Sequence, residues 1–304
     1  MIAKKLQKLV PGLVIHGYDL PRWRLSAPSP AHLRVAGPEL TGNLFDVRHV
    51  AGLMNAGWID GAHLTGFSLN MSNFGSREEC SELFQPPSES PPGFGKDELV
   101  IHVRGEDILT GGHPDYGPLP IQFYVRIVAQ TGLRPVFLGQ IQEGRYLDEI
   151  RRAFPDAQIL PARDVLADFQ TMRNSKNIVL GLSSFSWLAA WFSDADRIHL
   201  PVFGFLNPRQ RPDIHCLPVD DSRYSFYLLP VRKWNAGPDD QAALYDQRLP
   251  IEPIAAGEAG RLLRRGAWRI APKRLAKRVL LTAQCARAKW AVGAPGRTGP
   301  TGAP

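Results

Sequence analysis

The chain has 304 residues, of which 44% are hydrophobic and 21% are charged, and this ordinary globular balance excludes a wholly disordered or collagen-like protein. The net charge of +7 comes from the C-terminal segment: residues 257–304 hold 11 basic residues and one acidic residue, whereas residues 1–256 hold 25 and 28. Because the body of the chain is not basic, its composition does not indicate a nucleic-acid-binding domain.

Three cysteines lie far apart in the sequence: Cys80, Cys216 and Cys285. An odd number at wide spacing is typical of reduced thiols and predicts no metal-ligating cluster. The apolar runs are shorter than a transmembrane helix requires, and the basic N-terminal segment, interrupted at Pro11, has no cleavage site of the secretory type. We therefore expect a cytoplasmic protein.

The first part of the chain gives a weak secondary-structure signal, because Pro, Gly and Asn interrupt its apolar runs. It leads to residues 86–96, PPSESPPGFGK, where four prolines and two glycines indicate either a linker or a surface loop within one domain. We predict a smaller N-terminal domain over 1–96 and a second domain over 97–256.

From Asp97 onward, short apolar segments alternate with amphipathic ones. We predict strands at 99–103, 135–139, 157–160, 177–182 and 197–202, and helices at 118–131, 145–154, 164–174 and 184–193. This alternation predicts an α/β domain of the Rossmann-like kind, with a parallel sheet covered on both faces. Its ligand is expected beyond the carboxyl ends of the strands.

The first predicted strand ends in HVRGED, residues 102–107, where alternation directs His102 and Arg104 to the same side. The planar guanidinium of Arg104 suits phosphate oxygens. The alternative is a surface ion pair with Asp107 or Glu106.

A second polar segment, LSSFSW at 182–187, lies between a predicted strand and a predicted helix. The N–H groups at a helix start can bind phosphate, although Ser183 or Ser184 can also act as an ordinary helix cap. Asp168 lies on the preceding predicted helix, where its carboxylate either accepts hydrogen bonds from a nucleobase or favours the helix dipole.

The motifs of several enzyme classes are missing. The chain has no P-loop, no G-x-G-x-x-G after the first predicted strand, no G-x-S-x-G, no D-x-D in a strand-loop context and no pair of histidines at metal spacing. A P-loop kinase or sulfotransferase and a dinucleotide oxidoreductase are therefore disfavoured.

Together these segments resemble one superfamily, the fucosyltransferases related to bacterial α-1,2-fucosyltransferases, α-1,6-fucosyltransferases and protein O-fucosyltransferases. The H-x-R-x-x-D segment of that superfamily is matched by His102, Arg104 and Asp107. The α-1,2 group carries a segment like N-S-S-F-S-W-W-x-A-W, and residues 182–191 read LSSFSWLAAW. A base-binding Asp of the α-1,6 relatives lies sixteen residues before the second serine, as Asp168 does here.

The resemblance covers residues 97–205 and implies a GT-B-like glycosyltransferase that uses a GDP-sugar, GDP-fucose in particular, with inversion and without a metal or other cofactor. It implies that Arg104 stabilises the leaving diphosphate. It further implies that Ser183, Ser184 and the amide of Phe185 hold the pyrophosphate, and that His102 and Asp168 contact the guanosine.

The resemblance leaves the catalytic base open. Asp107 and Glu106 are near, but the alternative role of Asp107 is to anchor the loop, and Asp115 and Tyr116 are weaker acceptor-side candidates. The sequence also departs from the family: Gly105 replaces a second arginine, and the glycine-rich G-L-G-N-Q segment of the α-1,2 group is missing.

The basic segment 257–290 combines Lys and Arg with apolar residues that include Trp268 and Trp290. Such an amphipathic helix can lie on an anionic membrane surface. The alternatives are a solvated charged helix or a last helix packed on the nucleotide domain; nucleic acid is the least favoured partner. Residues 292–304, VGAPGRTGPTGAP, are expected to be disordered.

We therefore expect a fucosyltransferase-like enzyme that transfers a sugar to a polysaccharide or glycolipid acceptor, with the N-terminal domain on the acceptor side and the protein peripheral to the inner membrane. The alternative is a non-catalytic sugar-nucleotide-binding or membrane-associated polysaccharide assembly protein on the same fold.

Overall fold

The computed structural model describes residues 1–30, 37–84, 90–161 and 163–293, with side chains as far as residue 287. The chain divides into two compact units. The first comprises Met1–Pro21, Leu25–Gly75 and Ile270–Pro304, and the second comprises Arg22–Arg24 and Ser76–Arg269.

The first unit is a small α/β body around one apolar cluster. Its elements are α1 (Ile2–Leu9), β1 (Tyr18–Leu20), β2 (Leu25–Ala27), β3 (Glu39–Leu40), α2 (Val47–Asn55) and β4 (His63–Leu64). Its cluster includes Leu40, Phe45 and Val50, together with Leu281 and Cys285 from the last helix of the chain. The unit therefore depends on residues from both ends of the sequence.

The second unit contains the elements that the sequence predicts, and further ones. They are α3 (Arg77–Leu83), β5 (Glu98–Arg104), α4 (Ile121–Thr131), β6 (Arg134–Gln140), α5 (Arg145–Ala153), β7 (Gln158–Ile159), α6 (Val165–Arg173), β8 (Asn177–Val179), α7 (Ser184–Phe192), β9 (Arg197–Val202), β10 (Tyr224–Leu228), α8 (Pro238–Leu244), β11 (Glu252–Ile254) and α9 (Ala256–Gly293). The five predicted strands and four predicted helices all form, with shifted ends. The chain after Val202 adds β10 and β11, which the pattern did not predict.

Among the described residues, these strands form one seven-stranded sheet in the order β11-β10-β9-β8-β5-β6-β7. Every neighbouring pair is parallel except β10 with β11. The predicted α/β class with a mostly parallel sheet is therefore confirmed. The core of β5 is fully buried, as a central strand covered on both faces requires.

The unit boundaries differ from the predicted domain boundaries. Apart from Arg22–Arg24, the second unit begins at Ser76, whose side chain caps α3, whereas the predicted N-terminal domain extends to residue 96. The proline-rich segment 86–96 is described only from residue 90, and the tail beyond residue 293 lies outside the described residues.

Helix α9 contributes residues to both units, whereas the predicted division of the chain places residues 257–304 in a separate segment. Its residues up to Arg269 belong to the second unit and those from Ile270 to the first. Leu262 and Ile270 are buried, and so are Leu281 and Cys285 further along. In the described part of the chain, no helix is both long enough and apolar enough to cross a membrane.

Gly204 provides a test of how the loops at the carboxyl edge of the sheet pack. It adopts a φ of +52°, and a Cβ atom there would lie 2.5 Å from the Asp115 carbonyl oxygen and 2.6 Å from a Leu182 methyl carbon. We predict that Gly204→Ala lowers the free energy of unfolding by about 2 kcal/mol or more, measured by urea denaturation.

The matched control is Gly237→Ala. Gly237 has a φ of −69°, and a Cβ atom there would meet no other atom within 4 Å. This variant should stay within about 0.5 kcal/mol of the parent chain. Equal stability of the two variants would contradict the close approach at Gly204.

Candidate functional site

The candidate site lies where the sheet reverses its strand order. From β5 the chain adds β6 and β7 on one side, and then returns to place β8 on the other side of β5. The carboxyl ends of β5 and β8 therefore flank a topological switch point, which is where open α/β sheets bind their ligands. Both predicted polar segments follow these two strands.

Arg104 is the last residue of β5 and is held by Asp107. Its Nε donates to Asp107 Oδ1 at 3.2 Å and its Nη2 donates to Oδ2 at 2.7 Å, a two-point pairing that fixes the plane of the guanidinium. The side chain of Arg104 is 28% exposed and that of Asp107 is 60% exposed. The hydrogen bond from Arg104 is the main cause that lowers the pKa of Asp107. Asp107 is thus an ionised orienting group and a weak proton acceptor.

His102 lies deeper than the alternation of β5 suggested. Its ring is buried between Gly139 of β6 and Gly181, which lies two residues beyond the end of β8: Cβ atoms would lie 3.1 Å from its Nε2 at Gly139 and 2.6 Å from its Nδ1 at Gly181. Within the described residues its Nδ1 has no hydrogen-bond partner. Burial, assisted by the charge of Arg104, lowers the pKa of His102 to about 3. The imidazole is therefore neutral near pH 7.

The start of α7 is organised by serine side chains. Ser183 is the cap residue, and its Oγ accepts a hydrogen bond from the Phe185 amide at 3.1 Å. Ser186 Oγ donates to the carbonyl oxygens of Gly181 and Ser183. Ser183 thus acts as an ordinary helix cap, and the Phe185 amide that the sequence assigns to pyrophosphate already has a partner. Ser184, the first residue of α7, is partly exposed.

Asp168 is paired inside the protein with an arginine that sequence reasoning did not identify. Its Oδ1 accepts from Arg163 Nε at 3.0 Å and from Nη2 at 2.7 Å. The carboxylate is 10% exposed, and burial raises its pKa while the hydrogen bonds from Arg163 oppose that rise. An arginine five residues before the carboxylate was the only sequence signal for this pair.

Ring contacts bring the three predicted segments together. The ring of Phe185 lies 5.4 Å from His102 and 5.5 Å from Phe169, measured between ring centroids. Phe169 is the neighbour of Asp168 on α6. The ends of β5 and β8 and the face of α6 therefore meet at one place.

A second arginine approaches this edge from the loop after β9. Arg211 pairs with Asp213 at 2.8 Å and with Asp115 at 3.1 Å, and Gln210 also donates to Asp115. Burial raises the pKa of the Tyr116 phenol, and the charges of Arg211 and Arg104 both act against that rise. Asp115 thus joins two loops, while Arg104 and Arg211 both lie near Tyr116. No sequence signal marked Arg211.

The arginines at this edge are each paired with a carboxylate. In the ranges that the structure describes, no group of three or more His, Cys, Asp or Glu side chains is arranged to hold a metal ion. None of the three cysteines forms a disulfide bond, and all three are buried.

The chain matches no family model, no curated protein and no solved structure. Its functional interpretation therefore depends on the site itself and on the motif resemblance.

The buried imidazole gives the fold a specific pH dependence. Below the ordinary pKa of about 6.5 the unfolded chain binds a proton at His102, whereas the folded chain does so only near pH 3. Stability is therefore lost as the pH falls through this window. We predict that His102→Gln reduces the slope of unfolding free energy against pH by up to about 1.4 kcal/mol per unit between roughly pH 6 and pH 4.

The measurement is urea denaturation of both proteins at several pH values. His199, whose pKa burial lowers to about 4, remains in both proteins, so its contribution cancels in the comparison. Parallel slopes would show that His102 is protonated in the folded chain.

Proposed function

We propose that the protein is a GT-B-like glycosyltransferase that transfers a sugar from a nucleoside-diphosphate sugar, GDP-fucose in particular, to a polysaccharide or glycolipid acceptor. The observation that carries this proposal is the convergence of the segments around His102, Phe185 and Asp168 at the switch point of the sheet. These are the segments in which the sequence resembles the fucosyltransferase superfamily.

In the proposed reaction, Arg104 stabilises the leaving group. The acceptor hydroxyl oxygen forms a bond to the anomeric carbon as the bond from that carbon to the diphosphate oxygen breaks. The electron pair leaves with the diphosphate, and the acceptor proton passes to a base. Because negative charge increases on the diphosphate, a pre-oriented guanidinium lowers the barrier without rearranging. Asp107 supplies that orientation through its two hydrogen bonds.

The start of α7 supplies a second positive element. The N-terminus of a helix carries a partial positive charge and unpaired N–H groups, and Ser184 is partly exposed there. A diphosphate at this edge can therefore be neutralised without a divalent cation.

The donor base and sugar are proposed from the resemblance. Guanosine would lie toward α6, where Asp168 is buried and paired with Arg163. The second arginine of the family motif has no counterpart, since Gly105 occupies its position and donates its N–H to the Gln140 carbonyl at 2.8 Å. The first unit would supply the acceptor side.

A second candidate function is a sugar-nucleotide-binding protein without catalysis. It is favoured by the pairing of the site residues among themselves: Arg104 with Asp107, Asp168 with Arg163, and the Phe185 amide with Ser183. The two functions differ in donor hydrolysis. A binding protein would leave GDP-fucose intact, whereas a transferase without acceptor slowly transfers the sugar to water and releases GDP.

The role of Arg104 can be tested directly. We predict that Arg104→Ala lowers the rate of GDP release from GDP-fucose at least about 100-fold while the protein stays folded, because the leaving group loses its stabilising cation. Arg104→Lys should recover only part of the rate, since an ammonium group lacks the planar fork.

The matched control is Arg134→Ala, which removes an arginine at the opposite, amino end of the sheet, where Arg134 is paired with Glu98. This variant should keep the parent rate. Turnover near the parent rate in Arg104→Ala would remove the proposed role.

A chelator provides an independent test of the mechanism. We predict that GDP release continues in excess EDTA, because Arg104 and the start of α7 supply positive charge at the site. Loss of activity in EDTA that manganese restores would place the protein in a metal-dependent class. A parallel titration with GDP alone, followed by thermal shift, would show whether nucleotide binding itself depends on the cation.

A further inference from the structure

Helix α9 carries large apolar side chains on a face that the rest of the protein does not cover. Trp268 is 80% exposed, Leu275 is 62% exposed and Val279 is 61% exposed. Their spacing of seven and four residues places them on one side of a helix with about 100° per residue. We call these three residues the apolar stripe.

The opposite side of the same helix is buried. Gly266 and Ile270 lie two positions on either side of Trp268, so they point roughly 160° to 200° away from it. A Cβ atom at Gly266 would already lie 3.3 Å from Pro208, and Ile270 is 5% exposed. Leu281 and Cys285, further along, are buried in the apolar cluster of the first unit. The opposite face of the helix therefore packs within the second unit at Gly266 and within the first unit at Leu281 and Cys285. Because these residues are buried, the helix cannot rotate the apolar stripe inward without exposing them.

The charged side chains that α9 itself carries beyond Glu258 are all basic, and one of them, Arg278, is paired with Asp46. From Ala259 to Gly293 the helix contains ten Lys and Arg residues and no acidic residue. Arg264 and Arg265 lie one turn before Trp268, and residues at that spacing are neighbours on a helix surface. Arg261 is seven residues before Trp268, so it lies on the same side of the helix, and it is also exposed.

We infer that the outward face of α9 binds an anionic lipid surface, with the apolar stripe inserted at headgroup level and the flanking Arg and Lys side chains among the lipid phosphates. A Trp–Leu–Val stripe gains free energy only in an apolar environment, and long basic side chains can reach outward from such a stripe to phosphate. The inference is independent of the proposed function.

The charge pattern also favours lipid over the other occupants. A nucleic acid would pair with the arginines but would leave the apolar stripe in water. A second copy of the chain would bring two surfaces of the same positive charge together, which is unfavourable. An anionic bilayer satisfies both the apolar and the charged parts of the surface.

The test uses the full chain and sedimentation with vesicles of phosphatidylcholine, with or without phosphatidylserine. We expect binding to the anionic vesicles, weaker binding to the neutral ones, and a decrease as salt is raised. The triple variant Trp268→Ser, Leu275→Ser, Val279→Ser should reduce partitioning by about tenfold or more, since it removes the inserted side chains. Because all three side chains are exposed, the variant should retain the parent melting temperature.

Two comparisons keep the result specific. Phe67→Ser removes an apolar side chain that is 87% exposed outside α9, and it should bind as the parent does. Arg261→Gln with Arg265→Gln should weaken binding to anionic vesicles without changing the neutral background. Equal binding by the triple variant, dimerisation without vesicles that depends on the apolar stripe, or tighter binding to duplex DNA than to vesicles would each overturn the inference.

Discussion

Strand β5 is paired along both edges and buried on both faces, and this constraint governs where chemistry can take place in the second unit. A central parallel strand admits polar side chains only at its ends, because its interior positions face packed helices. His102 is tolerated one position before the exposed end because Gly139 and Gly181 leave room for its ring. Arg104 is the first residue of the strand to reach solvent with its charge. The switch in strand order then places the start of α7 beside it.

The charged groups at this edge are arranged in pairs that neutralise one another. Arg104 has Asp107, Arg163 has Asp168, and Arg211 has Asp115 and Asp213. A surface pair of this kind contributes little to stability, because water solvates the separated ions almost as well. In the proposed function, a multiply charged diphosphate would compete with Asp107 for Arg104, whose side chain is 28% exposed, whereas the buried Asp168–Arg163 pair is costlier to open. The difference in exposure thus distinguishes Arg104, which the proposed function assigns to binding, from the Arg163–Asp168 pair, which stabilises the fold.

The last helix, α9, has two physical roles, and different sides of the helix carry them. Its buried residues contribute to the core of each unit, and its outward residues form the apolar stripe and the basic flanks. Apolar residues lie on both sides of this helix, so their contributions cancel when amphipathicity is averaged over its whole length. The two faces become distinct only when the positions of Leu262, Ile270 and Leu281 in the cores are known.

The sequence by itself determined the elements between residues 97 and 202, the parallel character of the sheet and the edge at which the candidate residues meet. These features depend on local apolar periodicity and on short connections, both of which are visible along the chain. Gly132 directly follows the predicted helix 118–131, and it ends α4 in the left-handed conformation that favours glycine. The tertiary structure alone decided which of the candidate residues are buried and which are paired with another side chain. Contacts between segments that no periodicity connects determine the burial of His102, the Asp168–Arg163 pair and the position of Arg211. They also determine how α9 is shared between the two units. Burial and partnership are properties of neighbours in space, and a sequence pattern specifies only neighbours along the chain.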